Sequence, residues 1–173
     1  MSGSHMITCL TASRSWVDIQ PTPIKLTDPD GSTGDMLGWG GPSLSADGLV
    51  LAAASHRDSE MGSDSGSLSV WMRPNTSVTF NEAAPIKLTD PNGSISYQLG
   101  YGGVSISADG LMIAAASHVD GEGHTMSGTV CVWLRDSASV SFAEITPIKL
   151  ADPDGSDLDF LGKGGPSRSA SWL

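Results

Sequence analysis

The sequence predicts an all-β fold built from repeated four-stranded antiparallel sheets, and two observations lead to this prediction. The first is composition: the 173-residue chain contains 21 Gly and 10 Pro, and no window longer than about ten residues keeps helical periodicity free of Gly, Pro or Ser clusters. The second is a repeat, because the motif Pro-Ile-Lys-Leu starts at Pro23, Pro85 and Pro147, 62 residues apart in each case. Equal spacing without insertions is typical of repeat architectures.

Each repeat divides into four strand-sized segments, which we describe for the first repeat. Residues 37–48 end in Asp-Gly, so a tight hairpin turn is expected between them and residues 49–56. A polar loop leads to residues 67–72, where Leu, Val and Met alternate with other residues, and a second loop leads to residues 78–88. Pro85 lacks an N–H group and favours an edge strand for this last segment. Four antiparallel strands per repeat are typical of a blade of a β-propeller.

The repeat also sets the domain organisation. The chain divides into a tag remnant (1–5), the outer strand of a partial blade (6–22), two full repeats (23–84 and 85–146) and a truncated third repeat (147–173). A blade cannot cover both of its own faces, so it needs a neighbour. The open sheet edges of the partial blades favour self-association, and a piece of a longer propeller is the alternative.

Three short motifs recur within these segments. Leu-Gly starts at Leu37, Leu99 and Leu161, Ala-Ser-His starts at Ala54 and Ala116, and the third strands read SGSLSVW and SGTVCVW. In these motifs the sequence resembles FG-GAP repeats, the blade unit of integrin-alpha-type β-propellers, where Phe-Gly, Gly-Ala-Pro and Gly-x-Val-Tyr-Val occupy the same places. The resemblance implies a non-catalytic, adhesion-like propeller module for binding or self-assembly, and an extracellular location.

Two features depart from the family pattern. The Asp-rich calcium loop of the family is reduced here to Ser-Ala-Asp-Gly, with Asp47 and Asp109 alone. Propellers of the family usually have seven blades, and this chain contains far fewer. The residues after Met6 lack the basic head and apolar run of a signal peptide, so the sequence leaves the cell compartment open.

The charge balance argues against two classes of partner. Lys and Arg total 9 against 19 Asp and Glu, a formal net charge of −10, which repels the phosphates of nucleic acids and of anionic membranes. No apolar run approaches the roughly 18 residues of a membrane span, so we expect a soluble protein. Cys9 and Cys131 form no CxxC motif, which excludes a cysteine zinc site and leaves a single disulfide between them open.

The loop motif Gly-x-Gly-Gly contains an aromatic residue at Trp39 and at Tyr101. An aromatic side chain between glycines can stack on a sugar ring, so these two residues, with His56 and His118, form the candidate ligand-binding site. The alternative function is therefore a lectin-like binder of glycans or other small ligands at the blade junctions. The competing interpretation places both aromatic side chains in an interface or in the core.

The motif Ser55-His56-x-Asp58 contains the residue types of a catalytic triad. Adjacent residues of a strand point to opposite faces, so Ser55 and His56 are not expected to share a hydrogen bond. His56 and Asp58 could share a face and offer two metal ligands, although an ordinary loop role is the competing interpretation. We therefore expect a protein that is not an enzyme.

Residues 152–159 read Asp-Pro-Asp-Gly-Ser-Asp-Leu-Asp. Carboxylates that alternate before a glycine resemble a calcium-binding loop, which makes Asp152, Asp154 and Asp157 the candidate metal ligands. Asp-Pro-Asp-Gly is also an ordinary turn sequence, because Pro fixes φ and Gly accepts a positive φ. Calcium is the one cofactor that the sequence suggests.

Overall fold

Residues 23–167 are described by the computed structural model, and they form two four-stranded antiparallel sheets, as the sequence predicts. The first sheet consists of β1 (Ser43–Leu44), β2 (Val50–Ser55), β3 (Ser67–Met72) and β4 (Ile86–Leu88), and the second of β5 (Val104–Ile106), β6 (Met112–Ser117), β7 (Thr129–Leu134) and β8 (Ile148–Ala151). In both sheets the strands lie in chain order. No helix in this part of the chain is long and apolar enough to span a membrane. The predicted partial blade over residues 6–22, and Cys9 within it, lie outside the described residues.

Each sheet combines residues from two consecutive repeats. The fourth strand of the first sheet, Ile86–Leu88, belongs to the Pro-Ile-Lys-Leu motif that opens the second repeat, and Ile148–Ala151 does the same for the second sheet. Both strands lie at a sheet edge, where the preceding proline costs no ladder hydrogen bond. Successive repeats are therefore tied together by backbone pairing.

Two of the four predicted segments are mostly not strand. Residues 37–40 form a turn and only Ser43–Leu44 pair with β2, because the left-handed backbone of Gly38 and Gly41 bends the chain there. The segment 78–88 contains the 3-10 helix Phe80–Glu82 before its strand begins.

A side-chain cap explains that short helix. The Glu82 carboxylate accepts a hydrogen bond from the Thr79 backbone N–H at 2.9 Å, which closes a capping box over the helix start. The second sheet has a 3-10 helix at the same place, Phe142–Glu144, with a different cap, because here the Ser141 hydroxyl accepts from the Ala143 N–H. The alternation of residues that predicts a strand in these segments gives no sign of such a cap, so the sequence pattern does not predict the 3-10 helices.

The Ser-Ala-Asp-Gly motif forms the predicted tight turn between β1 and β2. The Asp47 carboxylate accepts a 2.6 Å hydrogen bond from the Ser45 hydroxyl and a 2.9 Å bond from the Leu49 N–H. Ser107 and Asp109 make the same hydroxyl–carboxylate bond at 2.6 Å in the second repeat. These aspartates therefore close a turn by local hydrogen bonds.

The hydrophobic core lies between the two sheets. One face of the first sheet, here called the Val50 face, consists of Val50, Ala52, Ala54, Leu68, Val70, Met72, Ile86 and Leu88. It packs against one face of the second sheet, here called the Trp133 face, which consists of Ile113, Ala115, Cys131 and Trp133. Both sets belong to a single buried cluster, so the core exists only because two repeats face each other.

Small residues are needed where a loop crosses the end of a strand. A Cβ atom on Gly100 would collide with the Cβ of Ala54, and a Cβ on Gly162 would collide with that of Ala116. Both glycines also adopt a positive φ, 81° for Gly100 and 80° for Gly162. The Ala-Ala-Ala-Ser motif of each repeat thus leaves room for the Leu-Gly loop of the next repeat.

Candidate functional site

The four predicted ligand-binding residues lie together in one row of rings. The ring centroids of Trp39 and His56 are 6.0 Å apart, those of His56 and Tyr101 are 5.2 Å apart, and those of Tyr101 and His118 are 4.6 Å apart. Phe160, which the sequence analysis did not select, extends the row at 6.2 Å from His118. Aromatic and imidazole rings therefore alternate across the junctions between repeats.

The strand ends and the Gly-x-Gly-Gly loops build this row. His56 and His118 follow the last residues of β2 and β6. The loop before each aromatic residue is held to the same strand, because the Gly38 N–H donates to the Ala54 carbonyl at 2.8 Å. Since the strand end and the loop recur in both full repeats, one packing arrangement brings the rings of Trp39, His56, Tyr101 and His118 into line.

Accessibility differs sharply along the row. Trp39, at one end, is 63% exposed, whereas His56 and His118 are both buried and Tyr101 is half-buried. At the other end the Lys163 ammonium lies 4.9 Å from the centre of the Phe160 ring, where a cation–π contact stabilises it. Lys163 occupies the loop position that holds Trp39 and Tyr101 in the other repeats. A ligand can therefore reach a ring most readily at Trp39.

The two buried histidines are neutral near pH 7. Burial is the main cause that lowers the pKa of His56 below its ordinary value, and the positive charge of Arg57 lowers it further. Burial is also the main cause that lowers the pKa of His118, and the positive charge of Lys163 lowers it further. The Nδ1 atoms of both rings are buried without a hydrogen-bond partner among residues 23–167. Protonation would place an unpaired charge in this environment.

Ser55, His56 and Asp58 do not form a hydrogen-bonded triad. The Ser55 hydroxyl and the His56 Nδ1 atom have no partner within the described part of the chain. The Asp58 carboxylate instead accepts a 2.6 Å hydrogen bond from the Ser67 hydroxyl and lies 2.9 Å from the Lys87 ammonium. Asp58 is therefore used by the framework and does not orient the histidine.

A lysine surrounded by carboxylates is a feature that the sequence motifs do not predict. The Lys87 ammonium lies 3.1 Å from Asp28, 2.9 Å from Asp58 and 2.9 Å from Glu60. Burial alone would lower the pKa of Lys87, but hydrogen bonds to these three carboxylates raise it above its ordinary value. The ammonium thus stays charged and neutralises a cluster that would otherwise repel itself.

The second sheet contains the same cluster 62 residues later. Lys149 lies 2.9 Å from Asp90, 2.5 Å from Asp120 and 3.6 Å from Glu122. The constant lysine of the Pro-Ile-Lys-Leu motif and the equal offsets of its acidic partners are the sequence signal for this arrangement. Each cluster joins acidic residues of one repeat to the lysine of the next repeat.

The predicted calcium ligands take part in turn and loop contacts. The Asp152 carboxylate accepts from the Asp154 N–H at 3.0 Å, and the Asp157 carboxylate accepts from the Thr125 N–H at 2.8 Å. No group of three or more His, Cys, Asp or Glu side chains within residues 23–167 is arranged to hold a metal ion. The turn interpretation accounts for Asp152, and calcium binding at Asp152, Asp154 and Asp157 stays a prediction.

Known proteins offer no further guide to this site. Comparison of the chain with protein families, with curated proteins and with solved structures finds no match. The resemblance to FG-GAP repeats therefore stays a prediction that rests on the sequence motifs.

Proposed function

We propose that this chain is a non-catalytic repeat module of the FG-GAP-like β-propeller type that serves binding or self-assembly. The observation that supports the proposal is a junction that recurs with the same geometry. The Leu99 N–H donates to the Ser65 carbonyl at 2.9 Å, and 62 residues later the Leu161 N–H donates to the Ser127 carbonyl at 2.7 Å. A junction that a sequence repeats in this way allows further sheets to be added by the same contacts.

The ion clusters support the same proposal. Asp28, Asp58 and Glu60 belong to the first repeat and Lys87 to the second, so this cluster of charges, in which the Asp28 and Asp58 side chains are largely buried, lies at the junction between repeats. Charges paired in this way define the register of two packed elements, because a shifted register would leave a buried carboxylate unpaired. This chemistry serves assembly rather than the conversion of a substrate.

The molar mass in solution tests the self-assembly function. Light scattering on a sizing column is expected to give a defined oligomer of the 17.8 kDa chain. A mass that stays at 17.8 kDa at every concentration would contradict self-assembly. A mass that changes when calcium is added would support a metal site at Asp152, Asp154 and Asp157, and an unchanged mass would favour the turn interpretation of that loop.

Glycan binding is the second candidate function, and the exposed ring of Trp39 favours it. A tryptophan that is 63% exposed beside a histidine offers a flat apolar surface on which a sugar ring can stack. We expect a bound glycan to quench tryptophan fluorescence in the unmodified chain and to lose this effect in Trp39→Ala. Quenching that is equally strong in Trp39→Ala would place the binding elsewhere, and no quenching across a glycan panel would contradict this function.

A further inference from the structure

Within residues 23–167, one apolar sheet face is exposed over most of its area. This face, here called the Met112 face, consists of Met112, Ala114, Ala116, Val130, Val132, Leu134, Ile148 and Leu150. The strand register places them on one side of the second sheet, since Met112 pairs with Leu134, Val132 with Ile148 and Val130 with Leu150. None of these eight side chains is charged.

The same positions are covered in the first sheet. Met112 is 40% exposed, whereas Val50, its equivalent in the first repeat, is 2% exposed. Leu150 is 50% exposed, whereas Leu88, its equivalent, is 4% exposed. The difference arises because the Trp133 face of the second sheet packs on the Val50 face of the first. The Met112 face therefore has the composition of a covered face, but among residues 23–167 only the loop at Gly162 lies against it, at Ala116.

The other sheet faces in residues 23–167 are already occupied. The Val50 face and the Trp133 face bury each other. The remaining face of the first sheet, which includes Ala53, Ser69 and Trp71, is also buried. Within the described part of the chain, a second copy therefore offers a single sheet face that can cover the Met112 face, namely its own Met112 face.

We propose that two copies of this chain associate through their Met112 faces, sheet against sheet, in a dimer with twofold symmetry. Two sheets that pack face to face with interdigitating apolar side chains form the core of β-sandwiches, so the geometry is an ordinary one. A twofold interface uses the same patch on both copies and closes at two subunits. This inference rests on the proposed self-assembly and specifies the surface that carries it.

A double variant tests the surface. Leu134→Asp combined with Leu150→Asp places charges on the face at two exposed positions, so the fold is expected to tolerate both changes. Light scattering should give twice the 17.8 kDa chain mass for the unmodified protein and the chain mass itself for the variant. Far-ultraviolet circular dichroism of the variant checks that both sheets are retained.

Ile95→Asp is the matched control. Ile95 is exposed and lies outside the Met112 face, and the third repeat carries an aspartate, Asp157, at the equivalent position. The control is expected to keep the dimer. If Ile95→Asp also dissociates the protein, a general effect of added charge is responsible and the assignment of the surface is wrong.

Three further outcomes overturn the inference in distinguishable ways. If the folded double variant is still a dimer, the Met112 face is not the interface, but the proposed self-assembly still holds. A concentration-dependent series of larger oligomers indicates head-to-tail stacking and overturns the twofold arrangement. A monomeric unmodified chain overturns both the inference and self-assembly, and then the occupant of the Met112 face is another segment or another protein.

Discussion

At the residue scale, the buried histidines predict how stability depends on pH. The pKa values of His56 and His118 are lowered in the fold, while an unfolded chain binds the proton with a pKa near 6.5. A lowered histidine pKa means that the unfolded state takes up more protons as the pH falls. The stabilisation by neutral histidine is therefore complete above about pH 6.5 and is lost progressively below it.

Urea unfolding between about pH 8 and pH 5 measures this dependence, because the carboxylates titrate mainly below that window. We expect the free energy of unfolding to fall with pH below 6.5 in the unmodified chain, and to fall less in the double variant His56→Gln, His118→Gln. His124→Gln is the comparison, because His124 is exposed and outside the row of rings. An equal pH dependence in the double variant and in the unmodified chain would show that other groups cause it.

Two equivalent glycines allow the energetic cost of backbone strain to be separated from the cost of a steric collision. Gly38 and Gly100 occupy equivalent loop positions with the same φ of 81°. A Cβ on Gly38 meets no atom of the described residues within 4 Å, whereas a Cβ on Gly100 collides with Ala54. We expect Gly38→Ala to lower the free energy of unfolding by about 1–2 kcal/mol through strain alone, and Gly100→Ala to lower it by about 1–3 kcal/mol more.

Denaturant unfolding of the two glycine variants provides the measurement. The comparison is internal, because the loop, the φ angle and the substitution are the same in both. If the two alanine variants unfold at the same denaturant concentration, the neighbouring strand yields without cost and the tight junction is not a determinant of stability.

The ion clusters give a prediction at the scale of the structural element. In Lys149→Met the carboxylates of Asp90 and Asp120 stay buried but lose their cation. Removing one partner of a buried ion pair costs about 3–5 kcal/mol, because the other charge is left uncompensated. The Thr129 hydroxyl still donates to Asp120 at 2.8 Å, so we expect a value near the lower end of that range.

Lys25 offers the matched control for this prediction. It occupies the same place in the Pro-Ile-Lys-Leu motif of the first repeat but is exposed. Lys25→Met is expected to change the free energy of unfolding by no more than about 0.5 kcal/mol, as surface substitutions usually do. Equal losses in Lys25→Met and Lys149→Met, measured by urea unfolding, would mean that the effect does not come from the ion cluster.

Local patterns were sufficient to predict most elements but not the contacts between distant residues. The turn at Asp47 and the edge position of β4 follow from neighbours in sequence, which is why they could be predicted. Four of the five residues of the ring row could be selected from the sequence because each recurs at a fixed place in the repeat, whereas Phe160 could not. The acidic partners of Lys87 could not be predicted, because Asp28 and Asp58 contact it only after two repeats have packed.

At the scale of the whole molecule, two physical effects oppose each other in the proposed dimer. Each copy carries a formal net charge of −10, so two copies repel one another. The Met112 face carries no charge, so its burial gains free energy from the hydrophobic effect, which salt does not screen. Added salt weakens the repulsion and leaves the attraction in place.

We therefore expect the dimer to bind more tightly as salt rises from about 0.01 M to about 1 M, a range in which the Debye length falls from about 30 Å to about 3 Å. Sedimentation equilibrium at several salt concentrations measures the dissociation constant directly. Dissociation that becomes stronger with salt would show that ion pairs between copies, and not the apolar face, hold the assembly together. In that case the residues to test are the charged residues Lys25 and Asp152, which are both exposed.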